Sequence, residues 1–207
     1  YAFDMWMTRS FPGVKWCRYA DDGIVHCQTK EQAEYIKTAL ARRLEDCGLT
    51  LHDGKTHIVY TGEDQRLREE NTTRFTFLGF TFQLRRSRSR TGIRLFNSFL
   101  PAVSDAALKK MRLRIRREWR LRLRSDLSLE QLAKLINPTV RGWLSYYGKF
   151  YRSRLSILVR ILEEALASWA RRKMRRLRYR DGGAHRWLST VRKNAPTLLA
   201  HWNLAQS

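Results

Sequence analysis

The sequence predicts an α+β chain, with an antiparallel sheet backed by a helix in residues 1–100 and an all-α helical bundle in residues 101–207. Three observations predict it. β-Branched and aromatic residues flank Ala20-Asp21-Asp22-Gly23 on both sides between Val14 and Cys27, which reads as strand, tight turn, strand. From Pro101 onward the pattern changes to capped segments whose apolar residues recur three and four positions apart. Charge divides the chain in the same sense: residues 1–84 carry 11 Lys and Arg against 12 Asp and Glu, whereas residues 85–207 carry 30 against 7. With 207 residues and 43% hydrophobic content, the chain is large and apolar enough for one large or two small cores.

Residues 1–10 read as the end of a helix stopped by Phe11-Pro12-Gly13. That helix opens without a cap, so the chain is expected to begin inside a larger domain. The aspartate hairpin follows, with Asp22-Gly23 expected at its bend. Thr29 as N-cap and Gln32 three residues on make a capping box. Ala33, Ile36, Leu40 and Leu44 then form one apolar stripe, and Gly48 ends the helix. Leu49–Leu51 and Thr56–Tyr60, on either side of an Asp53-Gly54 turn, read as short strands, and residues 61–73 as a polar loop. Phe75, Phe77, Phe80 and Phe82 surround Leu78-Gly79 in a strand-like run. Arg85 to Gly92 alternates Arg and Ser before Ile93–Phe96, which reads as a hairpin with a basic tip or as a flexible solvated loop; the two are compatible.

In the second part, Ser104 caps a helix with apolar positions Leu108, Met111, Ile115 and Trp119. Ser128 and Gln131 form another capping box, leading into Leu129, Leu132, Ala133, Leu135 and Ile136. Asn137-Pro138 is expected to break that helix and start the next, with Asn as cap and Pro at the first helical position, continued by Val140, Trp143, Leu144 and Tyr147. A longer helix carries Leu155, Leu158, Val159, Leu162, Leu166 and Trp169 and ends in the basic run 171–178. The apolar stripes read as a bundle core, and function is expected on the Arg faces.

A formal charge of +22, concentrated in the second part, points to a polyanionic partner, because one-sided charge repels itself unless neutralised. A membrane surface is the competing polyanion. No run of 18 apolar residues exists for a spanning helix, and seven Trp and eight Tyr among so many Arg suit base stacking better. Cys17, Cys27 and Cys47 form no Cys-x-x-Cys pair and read as reduced core thiols of a cytoplasmic protein. The five histidines lack zinc-ligand spacing.

The adjacent carboxylates Asp21 and Asp22 repel each other unless a cation lies beside them. A hard divalent ion such as Mg²⁺ takes oxygen ligands and leaves room for phosphate. Asp-Asp-Gly is also ordinary composition for a solvated turn, and both readings stand on these residues alone.

Tyr19-Ala20-Asp21-Asp22 between apolar strands resembles the palm motif of reverse transcriptases, and Phe77-Leu78-Gly79-Phe80 resembles their primer-gripping turn. Ile136-Asn137-Pro138-Thr139-Val140-Arg141-Gly142-Trp143-Leu144-Ser145-Tyr146-Tyr147 resembles the signature of the maturase domain that follows the thumb in group II intron-encoded proteins. Trp169–Lys173 and Ala200-His201-Trp202 fit its later part.

The resemblance implies half a palm with its primer-grip hairpin in residues 1–100, then thumb and maturase domain in residues 101–207. It implies an RNA-directed DNA polymerase of a retroelement that also promotes splicing of its host intron. Asp21 and Asp22 would be two of three Mg²⁺-binding catalytic carboxylates. Lys55 would lie near the deoxynucleoside triphosphate, unless it is a solvated turn lysine. Phe77, Leu78 and Gly79 would meet the primer on its RNA template. Arg141, Lys149, Arg171, Arg172, Lys173, Arg175 and Arg176 would bind intron RNA. The third carboxylate and the fingers lie upstream in the family, so the chain is expected to be a C-terminal portion that does not polymerise alone. The alternative is a stand-alone RNA-binding splicing cofactor; a non-specific membrane or polyanion binder is a third.

Overall fold

The computed structural model describes residues 2–88, 95–179 and 181–206. It divides into two compact units, Tyr1–Arg74 and Phe75–Ser207. The packing boundary falls ahead of the 100/101 division drawn from the sequence pattern, because the Phe-rich hairpin packs on helices that follow it.

The first unit opens with helix α1 (Ala2–Ser10). Strands β1 (Trp16–Tyr19) and β2 (Asp22–Val25) pair antiparallel, with Tyr19 opposite Asp22 and Arg18 opposite Gly23. The two turn residues are therefore Ala20 and Asp21, and Asp22-Gly23 belongs to the second strand rather than to the bend. Ala20 takes a positive φ of 54°, as a two-residue turn matched to strand twist requires at its first position.

Helix α2 (Lys30–Asp46) begins as expected: the Gln32 amide donates to the Thr29 hydroxyl at 3.2 Å. The Gln32 side chain reaches back one residue further than in a standard box, accepting from the Gln28 amide at 2.7 Å. The helix ends in a Schellman motif, with Leu49 N–H donating to Leu44 C=O at 2.8 Å and Gly48 at φ 72°.

Leu49–Leu51 and Thr56–Tyr60 are not strands. A strand exists only through a ladder partner; Leu49 and Thr56 bond locally, to Leu44 C=O and His52 C=O, and Tyr60 N–H reaches Thr72 C=O at 2.8 Å without a ladder forming. Among the described residues, the sheet of this unit is thus the β1–β2 hairpin. A 3-10 turn covers Asp53–Lys55, and the polar segment holds a short helix, α3 (Gln65–Glu70), capped by Asp64. Cys17 and Cys47 are exposed and Cys27 is half-buried, so they are free thiols but not core ones. A two-stranded hairpin has little interior to bury Cys17, and Cys47 caps the end of α2.

In the second unit, β3 (Arg74–Phe77), β4 (Phe80–Arg88) and β5 (Leu95–Val103) form an antiparallel sheet in that order. Leu78 and Gly79 connect β3 to β4 with φ of 49° and 79°, the signature of a type I′ turn. Register from Phe80–Val103 to Arg88–Leu95 confirms the second hairpin; its basic tip, residues 89–94, lies outside the described residues. Pro101 lies in β5 opposite Phe82, tolerated because β5 is an edge strand, so the helical pattern starts only at Ser104.

Ser104 caps α4 (Asp105–Leu113), accepting from Ala107 N–H at 3.1 Å. The helix then continues as a π-wound segment over Arg114–Trp119. Met111, Ile115 and Trp119 recur every fourth residue along this element. All three face inward, at 3%, 1% and 8% exposure.

Helix α5 (Leu129–Tyr147) has the full capping box of Ser128 and Gln131. It runs unbroken through Asn137-Pro138, against the expected break. Asn137 is not a cap: its Nδ2 donates to Leu198 C=O at 2.8 Å, and its Oδ1 accepts from Ala200 N–H at 2.9 Å. Loss of one intrahelical bond at Pro138 is offset by burial of Leu132, Ile136 and Val140, each 0% exposed.

Helix α6 (Ser156–Lys173) stops at Met174, whose backbone is extended, so the basic run is split between α6 and α7 (Arg175–Arg178). Helix α8 (Gly183–Asn194) and a 3-10 segment over Ala200–Gln206 complete the bundle. Leu158, Leu162 and Leu166 of α6 are fully buried at its centre, each stabilising by about 2 kcal/mol through area removed from water.

Candidate functional site

Asp21 lies in the β1–β2 turn and Asp22 at the start of β2, both exposed to solvent. Arg18 braces this turn. Its guanidinium forks onto Asp4 of α1 with two 2.8 Å bonds and donates a third, also 2.8 Å, to Ala20 C=O. Hydrogen bonding to Arg18 holds the Asp4 carboxyl below its ordinary range. The hairpin thus presents two carboxylates on a tied support. Their donor chemistry suits a hard divalent ion, but their number does not complete a site. Among the described residues, no three His, Cys, Asp or Glu side chains cluster closely enough to hold a metal. Lys55 is exposed in its 3-10 turn.

The Phe77–Phe80 turn is held by helix α5. Tyr146 Oη donates to Leu78 C=O at 2.9 Å, and Ser104 N–H donates to Gly79 C=O at 2.9 Å. Gly79 faces Tyr147 so closely that a Cβ there would meet its hydroxyl oxygen at 2.8 Å. Burial, and then Tyr146 beside it, push the Tyr147 phenol above its ordinary value. Phe80 is buried under the rings of Tyr146, Tyr147 and Phe150, at centroid distances of 5.1, 5.2 and 5.4 Å. The structure therefore joins Leu78 and Gly79 to the end of the helix that bears Arg141. Tyr146 and Phe150 carry no role in the sequence reading, although their interleaving with Lys149 is legible as an aromatic–basic alternation.

Most of the basic residues singled out in the sequence lie outward. Arg141, Lys149, Arg172, Arg175 and Arg176 are exposed, and Arg171 is half-buried. Lys173 differs. Its ammonium donates to Ser125 C=O at 3.0 Å and Leu127 C=O at 2.7 Å, and lies 5.8 Å from the Trp169 ring centroid. It closes the loop that Trp169 also caps by donating to Arg124 C=O at 2.9 Å. A larger basic face surrounds the α4–π helix, where Lys109, Lys110, Arg112, Arg114, Arg116 and Arg117 are all exposed around the buried stripe. The acidic residues on that segment are both paired, Asp105 with Arg154 at 2.5 Å and Glu118 with Arg114 at 3.1 Å.

Ala200-His201-Trp202 forms a buried polar latch instead of a surface. His201 Nε2 and Trp202 Nε1 both meet Glu163 Oε1, at 2.9 and 2.7 Å, and Arg192 donates to Trp202 C=O at 2.8 Å. Burial raises the Glu163 carboxyl, but hydrogen bonds from His201 and Trp202 and the charge of Arg192 outweigh it and leave it below its ordinary range.

Residues 1–82 match the family model described as reverse transcriptase (RNA-dependent DNA polymerase), and residues 108–187 match that of the group II intron maturase-specific domain. No curated protein and no solved structure matches the chain. A reverse-transcriptase segment carrying the aspartate hairpin, followed in the same chain by a maturase-specific helical domain, makes this protein a member of the group II intron-encoded reverse transcriptase/maturases.

Proposed function

We propose that the second unit binds structured group II intron RNA through the Arg faces of its helices and promotes folding and splicing of that RNA in the cytoplasm. The observation that carries this is the separation of faces. The apolar stripe of α4 and its π segment is buried, while six basic side chains ring it in solvent. Such charge contributes affinity by releasing counterions from phosphate.

In the first unit, Asp21 and Asp22 supply carboxylate ligands to Mg²⁺, which would neutralise charge on triphosphate and primer. Lys55 lies near the deoxynucleoside triphosphate, and the Leu78-Gly79 turn meets a DNA primer on its RNA template. Two carboxylates do not hold two metal ions, so the 207 residues alone do not extend a primer.

The test is RNA binding over a salt series. Replacing Arg171, Arg172, Arg175 and Arg176 with Ala weakens binding to intron RNA and lowers the salt slope by about 3 to 4, whereas Asp21→Ala leaves both unchanged. Equal behaviour of the two variants refutes the reading. Primer extension by the purified chain, abolished by Asp22→Ala, refutes the second part.

A further inference from the structure

Leu78, Tyr146 and Phe150 are large apolar side chains, 37%, 44% and 49% exposed, gathered around Phe80, itself 6% exposed. Single exposed apolar residues are ordinary, but adjoining aromatic ones mark a contact surface. This one is rigid. Tyr146 is tied through its hydroxyl to Leu78 C=O at 2.9 Å and packs edge-on against Tyr147 at 4.8 Å and 89°. An aromatic surface held in place before binding loses little freedom when a ligand stacks on it.

The rim is cationic. Arg141, Lys149 and Arg152 are exposed, and residues 141–152 hold no acidic residue, while Arg154 beside them is paired with Asp105 of α4 at 2.5 Å. Tyr151 brings β4 to the same neck: its ring lies 5.2 Å from the Arg85 guanidinium, and its hydroxyl donates to Arg86 C=O at 3.4 Å. Rigid aromatic faces rimmed by cations are complementary to nucleobases flanked by phosphates, and not to an uncharged apolar partner.

We propose that Leu78, Tyr146 and Phe150 form a stacking platform for one unpaired nucleobase of the bound nucleic acid, with Lys149 and Arg152 on the neighbouring phosphates. The platform rests on the reading that this unit binds nucleic acid. It adds a recognition element that phosphate contacts lack: preference for a base free of its duplex. Because every base has a stacking face, the preference is for strandedness and not for sequence.

The test uses the full chain and RNA oligonucleotides carrying 2-aminopurine at an unpaired or a paired position. Binding to the wild-type chain quenches the unpaired fluorophore and not the paired one. Phe150→Ala and Tyr146→Ala weaken single-strand binding about tenfold with an unchanged salt slope, while binding to a blunt duplex is unaffected. Phe150→Leu, which keeps the apolar contact under the platform, provides the second variant if an alanine variant unfolds, and it too loses the quenching.

Unchanged quenching and single-strand affinity in Phe150→Ala or Phe150→Leu overturn the platform. If the arginine variants still weaken intron-RNA binding in that case, the wider reading stands without it. If the wild-type chain binds neither intron RNA nor the oligonucleotides, the wider reading itself fails. Equal loss for single strand and duplex also overturns the platform, since it shows a general fold or charge effect.

Discussion

Asn137→Ala is expected to destabilise the second unit by about 3 kcal/mol, since it strands one buried and one half-buried backbone group at once. Asn137 is 7% exposed and Ala200 8%, and the two bonds that join Asn137 to the C-terminal segment are 2.8 and 2.9 Å long. Truncation leaves the Ala200 N–H without an acceptor and the Leu198 C=O without its donor, at roughly 1 to 3 kcal/mol each, the half-buried carbonyl costing less because water reaches it. For a unit of this size, 1 kcal/mol moves the melting temperature by about 4 °C, so the expected drop is about 12 °C by calorimetry.

Asn137→Asp gives the sharper comparison. Aspartate caps a helix as well as asparagine, so a capping role tolerates it. In the clamp, a carboxylate oxygen instead faces Leu198 C=O, and the variant melts at least as low as Asn137→Ala. A wild-type melting temperature for Asn137→Asp, or a drop below about 3 °C for Asn137→Ala, refutes the clamp.

Gly79→Ala places a methyl group against the Tyr147 hydroxyl at a positive φ of 79°, and should lower stability in denaturant titration by about 1 to 2 kcal/mol. Glu163 has a depressed folded value, so its contribution is complete above the ordinary carboxylate value of 4.5 and is lost as pH falls through the lower folded value. Glu163→Gln should therefore lower stability near neutrality and flatten its decline below pH 4.5, as thermal melts across pH would show. Asp4→Asn removes the fork that holds Arg18, and should speed amide hydrogen exchange at Ala20 to Gly23 without changing exchange in the second unit. Lys173→Ala should lower the melting temperature yet leave the salt slope of RNA binding nearly unchanged, because its ammonium is bonded to two carbonyls.

Local chemistry was legible wherever a few neighbouring residues decide the outcome. Ser128 with Gln131 and Thr29 as a cap accepting from Gln32 act within one turn and are found where the pattern predicts them, and the Leu78-Gly79 turn is found where the resemblance implies it. Two of the larger failures turn on distant partners. Asn137-Pro138 has the local chemistry of a helix start, but Leu198 and Ala200 claim the Asn side chain from about 60 residues away, and core burial carries the helix through the proline. Thr56–Tyr60 has strand composition but no ladder to join.

The aspartate hairpin and the Arg faces were readable from motif and charge alone. The service of Lys173 to a loop, the grip of Tyr146 on Leu78 and the platform around Phe80 required tertiary contacts.

The unbroken course of α5 makes it a strut of set length. Asn137 pins one point to the C-terminal segment and Tyr146 pins another to the β-turn, nine residues further on, or about 14 Å along the axis. Length and phase are locked together in such a part. One inserted residue between the pins would turn Tyr146 by about 100° away from Leu78, and one deleted residue would turn it as far the other way. This stretch should accept exchanges of side chain far more readily than any change in residue number, so that its gauge is set by counting, whatever the composition.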